Sequence, residues 1–113
     1  MLSQNEIQEI VHQLCHNLDQ IFPGQKKDII LFGSYARGEA EYGSDIDLMI
    51  LIDTDRNQIM SKNREIGEAA GELLLKYGVL VSPIIENRDY FSRHTGILPF
   101  YRNIIKEGVK LSA

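Results

Sequence analysis

The sequence has 113 residues and a formal net charge of −4. This length predicts one domain, residues 1–113, with a single core, and the acidic balance argues against a broad nucleic-acid surface, which would need clustered Lys and Arg. No apolar stretch is long enough to span a membrane, and the lone Cys15 cannot form an internal disulfide. We therefore expect no membrane segment and a cytoplasmic location.

The N-terminal segment has the pattern of an amphipathic helix. Ser3 and Glu6 match a capping box, in which each side chain accepts a hydrogen bond from the backbone N–H of the other residue. Phe22–Gly24 is predicted to end the element. The apolar residues between these signals recur at helical spacing, and they are Ile7, Ile10, Val11, Leu14 and Leu18.

A short apolar strand then leads into a glycine turn. Asp28–Phe32 has one charged residue followed by apolar ones, and Gly33 stops the run, which predicts a buried strand entering a tight turn. The residues from Ser34 to Arg37 are compatible with one or two helical turns capped by the Ser34 hydroxyl. Such a helix start directs free N–H groups and a positive dipole end outward, which suits phosphate oxygens.

Two aspartates stand at the start of the second strand. Residues 46–52 are an almost unbroken run of Ile, Leu and Met, which predicts a strand covered on both faces. The short connection from the first strand favours an antiparallel pair, so that the end of the first strand lies beside the start of the second. Asp45 and Asp47 should then project from one face, roughly 7 Å apart, close to Gly33 and Ser34.

This combination predicts a site for a metal-bound phosphate chain. Two carboxylates at the mouth of an apolar strand need a compensating charge, which a divalent cation would supply. Mg²⁺ fits, because it binds proteins through one or two carboxylates and takes its other ligands from water and substrate phosphates. Either half alone is more often a solvated turn or a pair of surface aspartates, but together the two halves favour the metal interpretation.

The rest of the chain completes the predicted fold. Arg56 to Tyr77 carries one long helical pattern, and residues 79–86 form the next strand candidate. Pro99 opens a last helix, which is expected to turn Tyr101, Ile104, Ile105 and Val109 inward. This order predicts an α/β fold with a small mixed sheet of about three to four strands and helices packed mainly on one face.

At these residues the chain resembles the DNA polymerase beta-like nucleotidyltransferase superfamily, specifically its small prokaryotic members, the minimal nucleotidyltransferases. The likeness rests on residues 33–38, Gly-Ser-Tyr-Ala-Arg-Gly, and residues 44–48, Ser-Asp-Ile-Asp-Leu. It implies the nucleotidyltransferase fold and transfer of a nucleoside monophosphate from a nucleoside triphosphate to an acceptor, with release of pyrophosphate. It also implies that Asp45 and Asp47 are catalytic and bind Mg²⁺, while Gly33–Ser34 contacts the triphosphate.

The sequence departs from this family at one position. Fully active members carry a third carboxylate on the following strand, which completes a second metal site and can draw the proton from the acceptor hydroxyl. Ser82, followed by Pro83, stands where that carboxylate is expected. Glu86 has the same strand parity but lies roughly 13 Å further along, so it would reach the metals only if the strand bends sharply or ends early.

The missing carboxylate leaves two hypotheses open. The first is an active nucleotidyltransferase with an incomplete two-metal site. The second is a catalytically degenerate, antitoxin-like protein that binds nucleotide or a protein partner without transfer. The family includes small antitoxins paired with helical HEPN toxins, some of which attach AMP to the toxin, so a HEPN-type partner belongs to this second hypothesis.

The sequence leaves open the role of Arg37 and the way in which an acceptor would bind. Arg37 lies one turn beyond Ser34, where it would either contact triphosphate oxygens or pair with Glu39 or Glu41 on the surface.

The chain is too short to add a lobe for a large acceptor. The acceptor would therefore bind in an open groove, through a homo-oligomer mate, or through a separate protein.

Overall fold

The computed structural model describes residues 1–112, in which six helices surround a four-stranded sheet. The strands are β1 (Asp28–Phe32), β2 (Ile46–Ile52), β3 (Val81–Asn87) and β4 (Val109–Leu111). The helices are α1 (Gln4–Ile21), α2 (Ser34–Arg37), α3 (Arg56–Met60), α4 (Asn63–Tyr77), α5 (Arg88–His94) and α6 (Pro99–Glu107). The predicted α/β fold class is confirmed.

The sheet has the strand order β3-β2-β1-β4 and is mixed, as predicted. β1 runs antiparallel to both β2 and β4, whereas β2 runs parallel to β3. The register pairs Phe32 with Asp47 across β1 and β2, and it pairs Asp47 with Ser82 across β2 and β3. The end of β1 and the starts of β2 and β3 therefore meet at one edge of the sheet.

The alternation of side chains along β2 divides the core between the two faces of the sheet. Leu48 and Ile50 pack with the buried faces of the two long helices, α1 and α4, in the larger cluster. Met49 belongs to a smaller cluster on the opposite face with Phe91 of α5 and Ile104 of α6. Both faces of β2 are buried, which explains its almost purely apolar sequence.

The first helix is capped as the sequence predicts. The Glu6 backbone N–H donates to Ser3 Oγ at 3.1 Å, and the Ser3 backbone N–H donates to Glu6 Oε1 at 2.9 Å. The helix ends at Ile21, directly before Phe22, Pro23 and Gly24. No helix within residues 1–112 combines the length and apolar character needed to cross a lipid bilayer.

The prediction of one continuous helix from Arg56 to Tyr77 was wrong. The helix breaks at Ser61 and Lys62, between α3 and α4. The Ser61 hydroxyl donates to the Gln58 carbonyl at 2.6 Å, and the Lys62 N–H donates to the Ile59 carbonyl at 3.0 Å. A serine side chain thus competes for a backbone carbonyl and closes the turn early.

The predicted inward face of the last helix was also partly wrong. Ile104 is buried, but Ile105 is 55% exposed, and Val109 is 45% exposed and lies in β4 rather than in the helix. Gly108 ends α6, and a Cβ at this position would collide with the Ile104 carbonyl and the Ile30 side chain. This close approach allows the chain to leave the helix and pair with β1 as an edge strand.

Candidate active site

Gly33 brings the β1–α2 turn into contact with Asp47. Its φ of 75° and ψ of −156° lie in a region that is open essentially to glycine alone. A Cβ at this position would collide with Asp47 Oδ2 and lie 3.1 Å from Asp47 Cγ. The absent side chain therefore lets one Asp47 carboxylate oxygen lie directly against the turn, as the predicted convergence requires.

Ser34 is the first residue of α2, which corrects its predicted role as a helix cap. The N-cap is Gly33, and no side chain within the described residues caps the helix. The helix is a single turn, in which the Arg37 N–H donates to the Gly33 carbonyl at 3.1 Å. The Ser34 hydroxyl is thus released from capping, and Ser34 lines the same cleft as Asp47.

Asp45 and Asp47 lie at the mouth of β2, with Asp45 exposed and Asp47 half-buried. Burial raises the pKa of the Asp47 carboxyl above its usual value, and the negative charge of Asp45 adds to this, whereas Arg37 opposes it. The preceding loop is closed by the Glu41 N–H, which donates to Ser44 Oγ at 2.8 Å. Two neighbouring carboxylates in this arrangement are suited to bind a cation.

A cleft of about 510 Å³ opens between the end of β1, the start of β2 and α6. This volume lies within the range of about 300–1,000 Å³ that is usual for small-molecule sites. It contains every residue that the sequence predicted for metal and nucleotide binding, which are Gly33, Ser34, Arg37, Asp45 and Asp47. The structure therefore brings the two halves of the predicted site together.

Arg37 both lines the cleft, as a triphosphate contact would require, and forms an ion pair with Glu39 on the surface. Its guanidinium lies 3.4 Å from Glu39 Oε1 and 3.6 Å from Glu107 Oε2, and it also lines the cleft. Both pairs are long and the side chain is 41% exposed, so they hold Arg37 only weakly. The guanidinium is available to an incoming phosphate without the loss of a buried ion pair.

Ser82 lies beside Asp47 on β3, where a third carboxylate would complete the acidic site. Across the described residues, no group of three or more His, Cys, Asp or Glu side chains is arranged to hold a metal ion. Asp45 and Asp47 still fit one Mg²⁺, because this ion takes most of its ligands from water and substrate phosphates. The residues present support one metal site better than two.

Glu86 does not take the place of the third carboxylate. It pairs in register with Leu51, four residues along β2 from Asp47, and it is only 6% exposed. Its Oε2 accepts hydrogen bonds from Arg56 Nε at 3.1 Å and from the Asn87 N–H at 2.8 Å, and its Oε1 accepts from the Tyr101 hydroxyl at 2.6 Å. β3 neither bends nor ends early enough to bring this carboxylate to the cleft.

The contribution of α6 to the cleft was not predicted from the sequence. Phe100, Asn103 and Glu107 line its far wall, at spacings of three and four residues that place them on one helix face. This spacing was visible in the sequence. The apolar residues Tyr101 and Ile104 dominated the pattern, however, and nothing local linked this helix to a turn more than sixty residues earlier.

The sequence matches a protein family and several known proteins. The model of the nucleotidyltransferase domain family matches residues 11–111. The chain is 35% identical over 101 residues to "Putative protein adenylyltransferase MJ0604" of Methanocaldococcus jannaschii, an overlap of 89% of this chain and 93% of the relative. It is 36% identical over 80 residues to "Putative protein adenylyltransferase MJ0141" of the same organism, covering 71% of this chain and 79% of the relative.

Two solved structures share the fold. A toxin-antitoxin crystallised with AMP-PNP matches with a TM-score of 0.57 and 21% identity, over 90% of this chain and 72% of that chain. A mutant of the toxin-antitoxin MntA-HpeT matches with a TM-score of 0.58 and 20% identity, over 99% of this chain and 74% of that chain. The family model and the relative at 35% identity confirm the family resemblance of residues 33–48, and the chain belongs to the nucleotidyltransferase domain family, as a member of its minimal type.

Proposed function

We propose that this protein is a Mg²⁺-dependent nucleotidyltransferase that moves a nucleoside monophosphate from a nucleoside triphosphate to an acceptor and releases pyrophosphate. The observation that carries this proposal is the contact between the Gly33 turn and the Asp47 carboxylate inside the cleft. A backbone turn suited to phosphate and a carboxylate suited to a cation lie side by side, as binding of a metal-bound triphosphate requires.

Each lining residue has a distinct role in this proposal. Gly33 and Ser34 hold the triphosphate through backbone N–H groups and the Ser34 hydroxyl, and Arg37 adds a positive charge. Asp45 and Asp47 hold Mg²⁺, which when bound would neutralise negative charge on the phosphate oxygens. In the transfer, the acceptor oxygen bonds to the α-phosphorus, the bond to the bridging oxygen breaks, pyrophosphate leaves and the acceptor proton passes to water.

We further propose that the donor is ATP and that the acceptor is a protein hydroxyl. The relatives at 35% and 36% identity carry the name "Putative protein adenylyltransferase", which supports AMP as the transferred group. The cleft is open at its mouth, where Asp45 is exposed, so a side chain presented by another protein has access. In-line phosphoryl transfer needs positioning more than covalent help from the enzyme.

A transfer assay tests this proposal. The protein is incubated with Mg²⁺, each of the four nucleoside triphosphates labelled at the α-phosphate, and candidate acceptor proteins. We expect label on an acceptor and equimolar pyrophosphate with ATP, both abolished by EDTA and by the double substitution Asp45→Asn, Asp47→Asn. Labelling that persists in the double variant or in EDTA would contradict the proposal.

A second candidate function is that of a degenerate, antitoxin-like binding protein. It is favoured by Ser82, which puts a neutral hydroxyl beside Asp47, and by the toxin-antitoxin neighbours in the fold comparison. In this case the protein binds nucleotide or a small helical HEPN-type partner without transfer. An adjacent short reading frame that encodes an all-helical protein would support this candidate. Pyrophosphate release with any acceptor would exclude it.

A further inference from the structure

The far wall of the cleft differs in chemistry from the wall that carries Gly33 and Asp47. It is formed by one face of α6 and combines an aromatic ring, Phe100, an amide, Asn103, and a carboxylate, Glu107. Arg37 is the cation among the described lining residues, and it belongs to α2. The α6 wall therefore offers no positive charge to phosphate groups.

We propose that this α6 wall binds the nucleoside part of the substrate, with the Phe100 ring packed against the base or ribose and the Asn103 amide hydrogen-bonded to it. The inference rests on the proposed function and adds the residues that would distinguish a nucleotide from a bare triphosphate. The phosphates lie at the Gly33 turn, where the backbone N–H groups, Arg37 and the two aspartates proposed to hold Mg²⁺ lie, and the nucleoside lies against α6.

Phe100 has the geometry of a stacking platform. Its ring is 48% exposed although it lines the cleft. It meets Phe32 edge to face, with ring centroids 5.7 Å apart and an interplanar angle of 82°, and it lies 6.1 Å from the Tyr101 ring. Neighbouring aromatic rings thus support Phe100 while much of its surface stays open, and an exposed aromatic surface inside a cleft is suited to a planar base.

Asn103 supplies the polar part of the wall. It lies about one turn beyond Phe100 on the same face of α6 and lines the cleft with an exposed side chain. Within the described residues no hydrogen bond engages its amide, which offers both a donor and an acceptor to a base edge or a ribose hydroxyl. Glu107, one turn further, is instead paired with Arg37 at 3.6 Å and closes the phosphate end of the wall.

Comparing the binding of a nucleoside triphosphate with that of tripolyphosphate distinguishes the contribution of the α6 wall from that of the phosphate site. Isothermal calorimetry in Mg²⁺ measures the affinity of wild type for ATP, GTP, CTP and UTP and for inorganic tripolyphosphate. The best-bound nucleotide and tripolyphosphate are then titrated into Phe100→Ala, Asn103→Ala and Phe100→Tyr. Ile105→Ala is the matched control, because Ile105 is an exposed apolar residue of α6 that lines a separate groove.

We expect Phe100→Ala to weaken nucleotide binding by about tenfold, within the usual contribution of base–aromatic stacking, and to leave tripolyphosphate binding within about twofold. Asn103→Ala should weaken nucleotide binding by about fivefold, the loss expected for one hydrogen bond. Phe100→Tyr keeps an aromatic ring and should lose less affinity than Phe100→Ala, whereas Ile105→Ala should retain wild-type affinities.

Two results would overturn the inference while leaving the proposed function intact. One is unchanged nucleotide affinity in both Phe100→Ala and Asn103→Ala. The other is an equal loss of tripolyphosphate affinity in these variants, which would mean that α6 acts only through the shape of the phosphate site. If wild type binds none of the four nucleotides, the proposed function fails, and this inference fails with it.

Discussion

Gly33 and Asp47 lie in contact across the β1–β2 pair, with no room for a side-chain carbon at position 33. The contact fixes the distance between the turn that would hold phosphate and the carboxylate that would hold the metal. Any side chain at position 33 must push the turn and the carboxylate apart. The two halves of the site are therefore one structural unit.

Gly33→Ala should weaken Mg²⁺-nucleotide binding by about tenfold or more, because the new methyl group collides with the Asp47 carboxylate. Gly38→Ala is the matched control: Gly38 also has a positive φ, of 73°, but a Cβ there meets nothing within 4 Å. Both variants should lose roughly 1–3 kcal/mol of unfolding free energy through backbone strain. Calorimetry with urea unfolding checks this, and equal nucleotide affinity in the two variants would contradict it.

Ser82→Asp should raise pyrophosphate release by about tenfold or more, since a positioned proton acceptor contributes roughly 10²–10⁴-fold in other enzymes. The register places the new carboxylate on β3 beside Asp47. Ser82→Asn is the control, because it has a similar shape and no negative charge. A continuous pyrophosphate assay measures the difference. Equal rates in the two variants would show that the missing carboxylate does not limit turnover.

Glu86→Gln should lower the free energy of unfolding by about 1–3 kcal/mol without changing Mg²⁺-nucleotide affinity. The amide oxygen can take the place of Oε2, but it carries no charge to pair with Arg56, and the amide nitrogen in the place of Oε1 cannot accept the hydrogen bond that the Tyr101 hydroxyl donates. Glu68→Gln is the comparison, since Glu68 forms only an exposed pair with Arg64 at 3.9 Å and should change stability little. Weaker nucleotide binding in Glu86→Gln, measured by calorimetry, would restore Glu86 as a metal-ligand candidate.

Cys15 should react slowly with thiol reagents at pH 8. The side chain is 7% exposed, and burial raises the pKa of its thiol from 9.0 to about 11, which nearby Lys27 opposes only in part. The two-unit difference alone reduces the thiolate fraction roughly 100-fold relative to the unfolded chain. Because the folded pKa is the higher one, stability should fall as the pH rises from about 9 to about 11. A reaction rate equal to that in urea would contradict this account.

The features of the site that could be predicted from the sequence are those that depend on residues close together in the chain. The turn at Gly33, the strand from Ile46 to Ile52 and the antiparallel pairing all followed from short-range patterns, and these place Gly33 against Asp47. Ser82 was identified through the family resemblance as the residue in the place of a third carboxylate, and the register of β2 and β3 pairs it with Asp47. Local periodicity was enough to predict the geometry wherever residues close in sequence determine it.

The missed features depend on contacts between distant segments. Val109 looked like one more inward helical residue, but Gly108 packs against Ile30 of β1 and redirects the chain into β4. The position of Phe100 on the wall of the cleft likewise follows from the docking of α6 against β1. Glu86 of β3 is held away from the cleft by hydrogen bonds that include one from Tyr101 of α6. None of these partners is marked by spacing within a single element.

The most direct test of the metal-nucleotide site is calorimetric titration of ATP, GTP, CTP and UTP with Mg²⁺ into wild type and into the Asp45→Asn, Asp47→Asn double variant. The proposed site predicts saturable, Mg²⁺-dependent binding of at least one triphosphate to wild type and a loss of about 100-fold or more in the double variant, since both metal ligands are removed. No binding to wild type at millimolar triphosphate, or equal binding to the double variant, would contradict it.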